Sequence, residues 1–132
     1  MPSGGTESFH YVLTVMYRGG YYNGYCYVSG QITLRKDIET ILTATIPEVH
    51  QSGKNAGPRT AYTNTWTDGT STYSIDVSLL GGNWENHNSY AGGTLNSFTI
   101  DGNTILSNIQ FAQASGPDMG GAQSQYVYEF MY

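Results

Sequence analysis

Charge is what this chain has least of. Only 11% of its 132 residues are Asp, Glu, Lys or Arg, less than half the share of an average globular domain. Five residues are basic, the formal net charge is −5, and Arg35–Lys36 is the one adjacent basic pair. Nucleic acid is thereby excluded as a partner, because phosphate binding needs clustered Lys and Arg to displace counterions. Anionic membrane surfaces are disfavoured for the same reason, while neutral lipid headgroups stay open.

Cysteine is nearly missing as well. Cys26 stands alone, so no intrachain disulfide can form. The opening "MPSGGTES" has neither a basic segment nor an apolar one, and no Asn-x-Ser/Thr sequon occurs. The longest apolar run, "YVLTVMY", is far too short to span a bilayer. These features lead us to expect a protein that is cytoplasmic or released without a classical signal peptide, with no membrane span.

Tyr (12) and Gly (17) take the place of charge, together with many Thr, Ser and Asn residues. A chain this long buries a core without staples, and its aromatic, weakly charged make-up is the opposite of a disordered one. Residues 7–17, "ESFHYVLTVMY", alternate with period two, which predicts a strand. "RGGYYNG" reads as a turn or loop, and "YCYVSGQITL" as a strand kinked at Gly30. "RKDIETILTATIPEV" fits a short helix or a strand, and its β-branched residues favour the strand, ended by Pro47. Residues 50–58 read as a loop. Asp68–Gly69 and Asp101–Gly102 each predict a hairpin turn, "SGPDMGGAQS" a final loop, and "QYVYEFMY" a closing strand. The expected fold is all-β: one domain over residues 1–132, an antiparallel β-sandwich or barrel of about eight strands.

One internal echo stands out. "GGYYNGYCYVSG" followed by "TIL" at 40–42 resembles "GGNWENHNSYAGG" followed by "TIL" at 104–106, with the glycine pairs 62 residues apart. Repeated halves would set two similar loops in related positions.

Several chemistries have no foothold. His10, His50 and His87 are far apart, and no metal-ligand spacing, nucleophile elbow or phosphate-cradling glycine pattern is present. Cys26 lies within an aromatic strand, where an inert thiol is the ordinary expectation. Asp76 and Glu129 are the only acids centred in predicted strands, so they alone would supply the facing carboxylates of a glycosidase. We therefore expect neither enzyme, metal nor cofactor.

Neutral recognition is what the residues do offer. A sugar ring presents C–H faces to stack on an aromatic ring, and hydroxyls that amide, carboxylate and imidazole groups can bond. The stretch "GGNWENHNSY" supplies both: Trp84 and Tyr90 as platforms, with Asn83, Glu85, Asn86, His87 and Asn88 as partners. Tyr22 and Asn23 in "GGYYNGY", and Trp66 and Asp68 in "NTWTD", extend the candidate set. The chain lacks the Q-x-D-x-N-x-V-x-Y run of monocot mannose lectins and the Q-x-W repeats of β-trefoils. In composition alone it resembles the small all-β lectins of fungal fruiting bodies and microbes. The expected function is lectin-like binding of glycans or glycoconjugates. Tyr126, Tyr128, Phe130 and Tyr132 on one face of the last strand point to a homo-oligomer. The alternatives are a membrane-active or defensive β-protein, a structural assembly protein, and a small barrel enzyme with a Tyr-lined cavity.

Overall fold

The alternation in "HYVLTVMY" sends Tyr11, Leu13, Val15 and Tyr17 to one face, and all four are fully buried. In the computed structural model, which describes residues 8–84, 88–117 and 120–132, the same rule repeats along nine strands. These are β1 (His10–Tyr22), β2 (Tyr25–Lys36), β3 (Glu39–Ser52), β4 (Arg59–Thr67), β5 (Thr72–Asn83), β6 (Ser89–Ile100), β7 (Asn103–Gln110), β8 (Ala114–Gly116) and β9 (Ala122–Met131). Two antiparallel sheets result, with order β3-β2-β1-β9 and β4-β5-β6-β7, and β8 pairs with β6. Val28, Ile32 and Leu34 of the first sheet share one apolar core with Ile75, Val77, Leu95 and Phe98 of the second. The molecule is a β-sandwich, not a closed barrel. Among the described residues there is no helix, and none long and apolar enough to cross a membrane.

Four sequence expectations need correction. The segment around 36–46 is strand, but Pro47 does not end it. β3 is an edge strand, and the β2–β3 register shifts between Val28/Gly30 and their partners Val49/Ile46, so Pro47 falls in a bulge. A proline costs least there, because its missing N–H has no ladder partner to disappoint. Residues 50–52 consequently belong to β3, and the loop is shorter than expected. "RGGYY" is not loop but the end of β1, and only Asn23–Gly24 turns, both with positive φ. Finally, the stretch expected to be a closing loop contributes the short β8, which pairs Ala114–Gly116 with Ser89–Ala91.

The sequence echo has a structural counterpart. If β9 is counted before β1, each sheet is a four-stranded meander: β9-β1-β2-β3 and β4-β5-β6-β7. Equivalent residues then behave alike. Tyr11 stacks on Phe130 at 5.0 Å, as Tyr73 stacks on Trp66 at 5.2 Å, and the two tyrosines meet edge to face at 6.5 Å. Asp37 and Asp101 both have positive φ. The N–H of Asp37 donates to the His10 carbonyl, and its carboxylate accepts from the His10 N–H. Asp101 makes the same two bonds with Thr72. Even the register shift recurs, between Leu34/Arg35 in one meander and Phe98/Thr99 in the other.

This equivalence has a testable consequence for chain order. Phe9 and Tyr132 exchange both backbone hydrogen bonds, at 2.9 and 3.0 Å. The matching link in the second meander is Gly69–Thr70, two residues between Asp68 and Ser71. A circular permutant that joins Tyr132 to Ser8 through one glycine, and opens between the exposed Gly53 and Lys54, makes both meanders contiguous. It is expected to fold with a Tm within about 5 °C of the parent, since such exposed loops tolerate new termini. A molten circular-dichroism profile would contradict the equivalence.

Candidate functional site at the aromatic end

β1 and β5 run side by side in facing sheets, with the Gly19 and Gly81 backbones so close that a Cβ on Gly81 would lie 3.0 Å from the Gly19 Cα. Their hairpin tips therefore share one end of the sandwich. Each tip exposes an aromatic ring at the equivalent place: Tyr22 is 58% exposed and Trp84 36%. Within the stretch 79–93, residues 79–83 close β5 and residues 89–93 open β6.

Trp84 is braced from below. Its indole stacks on the Tyr90 ring at 4.9 Å and 16°, and its backbone N–H donates to the Asn88 carbonyl at 2.9 Å. Tyr90 is half-buried, and desolvation by burial holds its phenol above the ordinary tyrosine range. Tyr90 thus supports one face of an indole whose residue remains 36% exposed. At the other tip Tyr22 meets Tyr25 edge to face at 6.3 Å, and Tyr25 packs on His50 at 4.5 Å. Lys54 lies 5.7 Å from the Tyr21 ring. Asn23 has φ 52 and forms the turn.

Asn83 is 2% exposed, which takes it off any ligand-facing surface. Its Oδ1 accepts from the Asn55 N–H at 2.8 Å and from the Cys26 thiol at 3.2 Å, so it ties the loop after β3 to the root of the Trp84 hairpin. Cys26 is the buried, free thiol expected. Glu85, Asn86 and His87 lie outside the described residues.

Trp66 and Asp68 are at the opposite end and do structural work. Trp66 covers Tyr73 in the way Phe130 covers Tyr11. The Asp68 carboxylate accepts from Thr70 N–H, Ser71 N–H, the Tyr73 hydroxyl and Lys36 Nζ. Burial alone would raise the Asp68 pKa, but the hydrogen bonds from Ser71, Tyr73 and Thr70, with Lys36, outweigh it and hold the group well below the usual carboxylate range. A depressed folded pKa means stability that is present above the unfolded value of about 4 and lost as pH falls from there through the folded one. Asp68→Ala is expected to cost about 2–4 kcal/mol at neutral pH and to flatten the loss of stability below about pH 4, as read by urea melts across pH.

The two strand acids do not face each other. Asp76 accepts from Asn96 on the outer side of the second sheet, and Glu129 pairs with His10 at 2.5 Å on the outer side of the first. Among the described residues, no three His, Cys, Asp or Glu side chains cluster as metal ligands.

The chain matches no known family model, no curated protein and no solved structure. What it offers chemically rests on its own residues. Of the candidates read from sequence, the structure gathers Trp84, Tyr90, Asn88, Tyr22, Asn23 and the Tyr25 of the same "GGYYNGY" run at one end, and adds His50 and Lys54. The last two were missed because pairing across β2 and β3 brings them there, and no local spacing reports it.

Proposed function

We propose that the protein is a non-enzymatic carbohydrate-binding module that recognises neutral glycans at its aromatic end. The observation that carries this reading is Trp84, an exposed indole held flat on Tyr90 at a hairpin tip. An exposed tryptophan gives a fold nothing, whereas a braced platform loses little entropy when a sugar face stacks on it. Tyr22, Tyr25 and His50 supply further rings and hydrogen-bonding groups at the same end, and the low charge suits an uncharged ligand. Several weak sites gain avidity by assembly, and a homo-oligomer belongs to the proposal. Tyr126, Tyr128 and Phe130 turn inward against Phe111, Phe98 and Tyr11, so support for assembly passes to Val127 and Met131, exposed on the edge strand β9. A monomer at every concentration in sedimentation would count against that part.

A glycan array probed with the wild type and with Trp84→Ala tests the central reading. Binding to neutral glycans that the substitution strongly weakens is the expected result. No binding, or binding indifferent to Trp84, would overturn it. Exposed rings on two tips at one end also favour a second reading, contact with neutral lipid headgroups, for which dye release from zwitterionic liposomes is the separating assay.

A further inference from the structure

The meander repeat leaves a groove on the outer face of each sheet, over equivalent glycines. Gly30 in β2 and Gly93 in β6 pair with Tyr17 and Leu79 respectively, and both are closely crowded from within. A Cβ on Gly30 would lie 2.7 Å from the Met16 carbonyl, 2.8 Å from Leu79 and 3.2 Å from Ile46. On Gly93, at φ 152, it would strike the Ser78 carbonyl. Neither carries an inward side chain, and on the outer surface each lines a groove, of about 440 and 410 Å³ respectively. Such volumes suit a small ligand.

The two grooves share a shape but not a chemistry. In the first sheet, two rows of outward side chains cross the strands: Gln123, Arg18, Ser29 and Glu48, then Met16, Gln31 and Thr45. Arg18 Nε donates to Ser29 Oγ at 3.0 Å, its guanidinium lies 5.8 Å from the Tyr27 ring, and its Nη2 sits 3.7 Å from Glu48 Oε1. That last separation is too long for a hydrogen bond. A positioned donor fork and an acceptor carboxylate thus stand side by side without saturating each other. Among the described residues, the amides of Gln31 and Gln123 have no hydrogen-bond partner. In the second sheet the equivalent of Arg18 is Leu80, that of Gln31 is Thr94, that of Met16 is Ser78 and that of Gln123 is Arg59, so that groove has an arginine at its edge but neither the acid nor the amides.

We infer that the groove over Gly30 is a second binding site, for one ring of a neutral sugar, with Arg18 and Glu48 answering adjacent hydroxyls and Gln31 and Gln123 the outer ones. The ligand class follows from the mixture. Adjacent hydroxyls both donate and accept, which a paired cation and anion with two amides satisfy. A carboxylate or phosphate would face Glu48. Met16 and the Thr45 methyl give the C–H face something apolar. The inference rests on the glycan reading but not on the Trp84 site, and it makes one chain bivalent.

Titration calorimetry and amide NMR with methyl glucoside, methyl galactoside and methyl mannoside test it, on the wild type, Trp84→Ala, Arg18→Met and Gln31→Ala. Arg18→Met keeps the apolar stem and Gln31 is on the surface, so both variants are expected to keep the parent Tm. Support is two equivalents bound by the wild type, a Trp84→Ala variant that still binds one, at least tenfold weaker groove binding in Arg18→Met and Gln31→Ala, and shifts of the Gln31 and Gln123 side-chain amides. A single equivalent that Trp84→Ala removes and Arg18→Met leaves intact would overturn the groove and keep the glycan function. No binding of any methyl glycoside, alongside a blank array, would overturn both. Tighter binding of a methyl glucuronide than of methyl glucoside would overturn the assignment to a neutral ligand.

Discussion

Gly81→Val is expected to lower the Tm by about 10 °C or more, whereas Gly92→Ala, in the same hairpin, should move it by no more than a few degrees. The two glycines look interchangeable in "LLGGNWENHNSYAGG", and their surroundings separate them. A Cβ on Gly81 would lie 3.0 Å from the Gly19 Cα, 3.0 Å from the Tyr27 carbonyl and 3.1 Å from Val28 Cβ. Two of those atoms are backbone of the facing sheet, so relief requires moving a whole strand. Packing density leaves no slack for that, and overpacking of this kind costs about 1–3 kcal/mol or more. Valine adds two methyl groups beyond the Cβ, which places it at the upper end, at about 3 kcal/mol. For a chain of this length each kcal/mol is worth roughly 3–5 °C. At Gly92 a Cβ would meet nothing within 4 Å. Gly19→Val should match Gly81→Val, because a Cβ there would lie 2.6 Å from the Tyr90 carbonyl and 2.8 Å from the Gly81 Cα. Urea melts of the three variants give the comparison. Equal stability of Gly81→Val and Gly92→Ala would refute close approach of the sheets at this point.

The same glycines show what was legible in the sequence. Period-two alternation reported the strands well, as in β1, because each buried face writes its pattern locally. Asp101–Gly102 reported its turn for an equally local reason: both residues have positive φ, which a two-residue hairpin link of this kind demands. The strand pairs "RGGYY" and "LLGG" were harder. Glycine usually marks a turn, and nothing local distinguishes a turning glycine from one that lets two sheets touch. Pro47 misled for a related reason, since only the pairing partner reveals an edge strand with a bulge. Among the site residues, Trp84, Tyr90 and Tyr22 were legible as unexplained aromatics. Asn83 and Asp68 shared the same polar alphabet, yet their partners, Asn55, Cys26, Lys36 and Tyr73, are distant in sequence. Arg18, Gln31 and Glu48 formed no motif at all, because strand register alone puts them in one groove.

Trp84→Ala is expected to weaken glycan binding at the aromatic end at least thirtyfold and to leave the fold intact. The indole is a platform whose underside is already covered by Tyr90, so truncation removes the stacking surface and leaves a single tyrosine in its place. Losing a central aromatic contact of this type costs about 2 kcal/mol or more, which is roughly thirtyfold in Kd. A site of millimolar to micromolar strength would drop to the edge of detection. Trp84→Phe keeps a smaller face and should retain part of the affinity. The Tm of Trp84→Ala should change little, because the ring stands at a tip and more than a third of it is in water. Trp66→Ala reverses the pattern. That ring packs on Tyr73 against the core, so its loss should destabilise by about 2 kcal/mol or more and leave affinity unchanged.

The two tryptophans also provide the most direct measurement. Each indole N–H gives its own resonance in a ¹H–¹⁵N NMR spectrum, and Trp84→Ala assigns them. On titration with a neutral glycan bound on the array, the expected result is a progressive shift of the Trp84 indole resonance with that of Trp66 unmoved. A bound glycan that leaves the Trp84 indole in place would contradict recognition at the aromatic end.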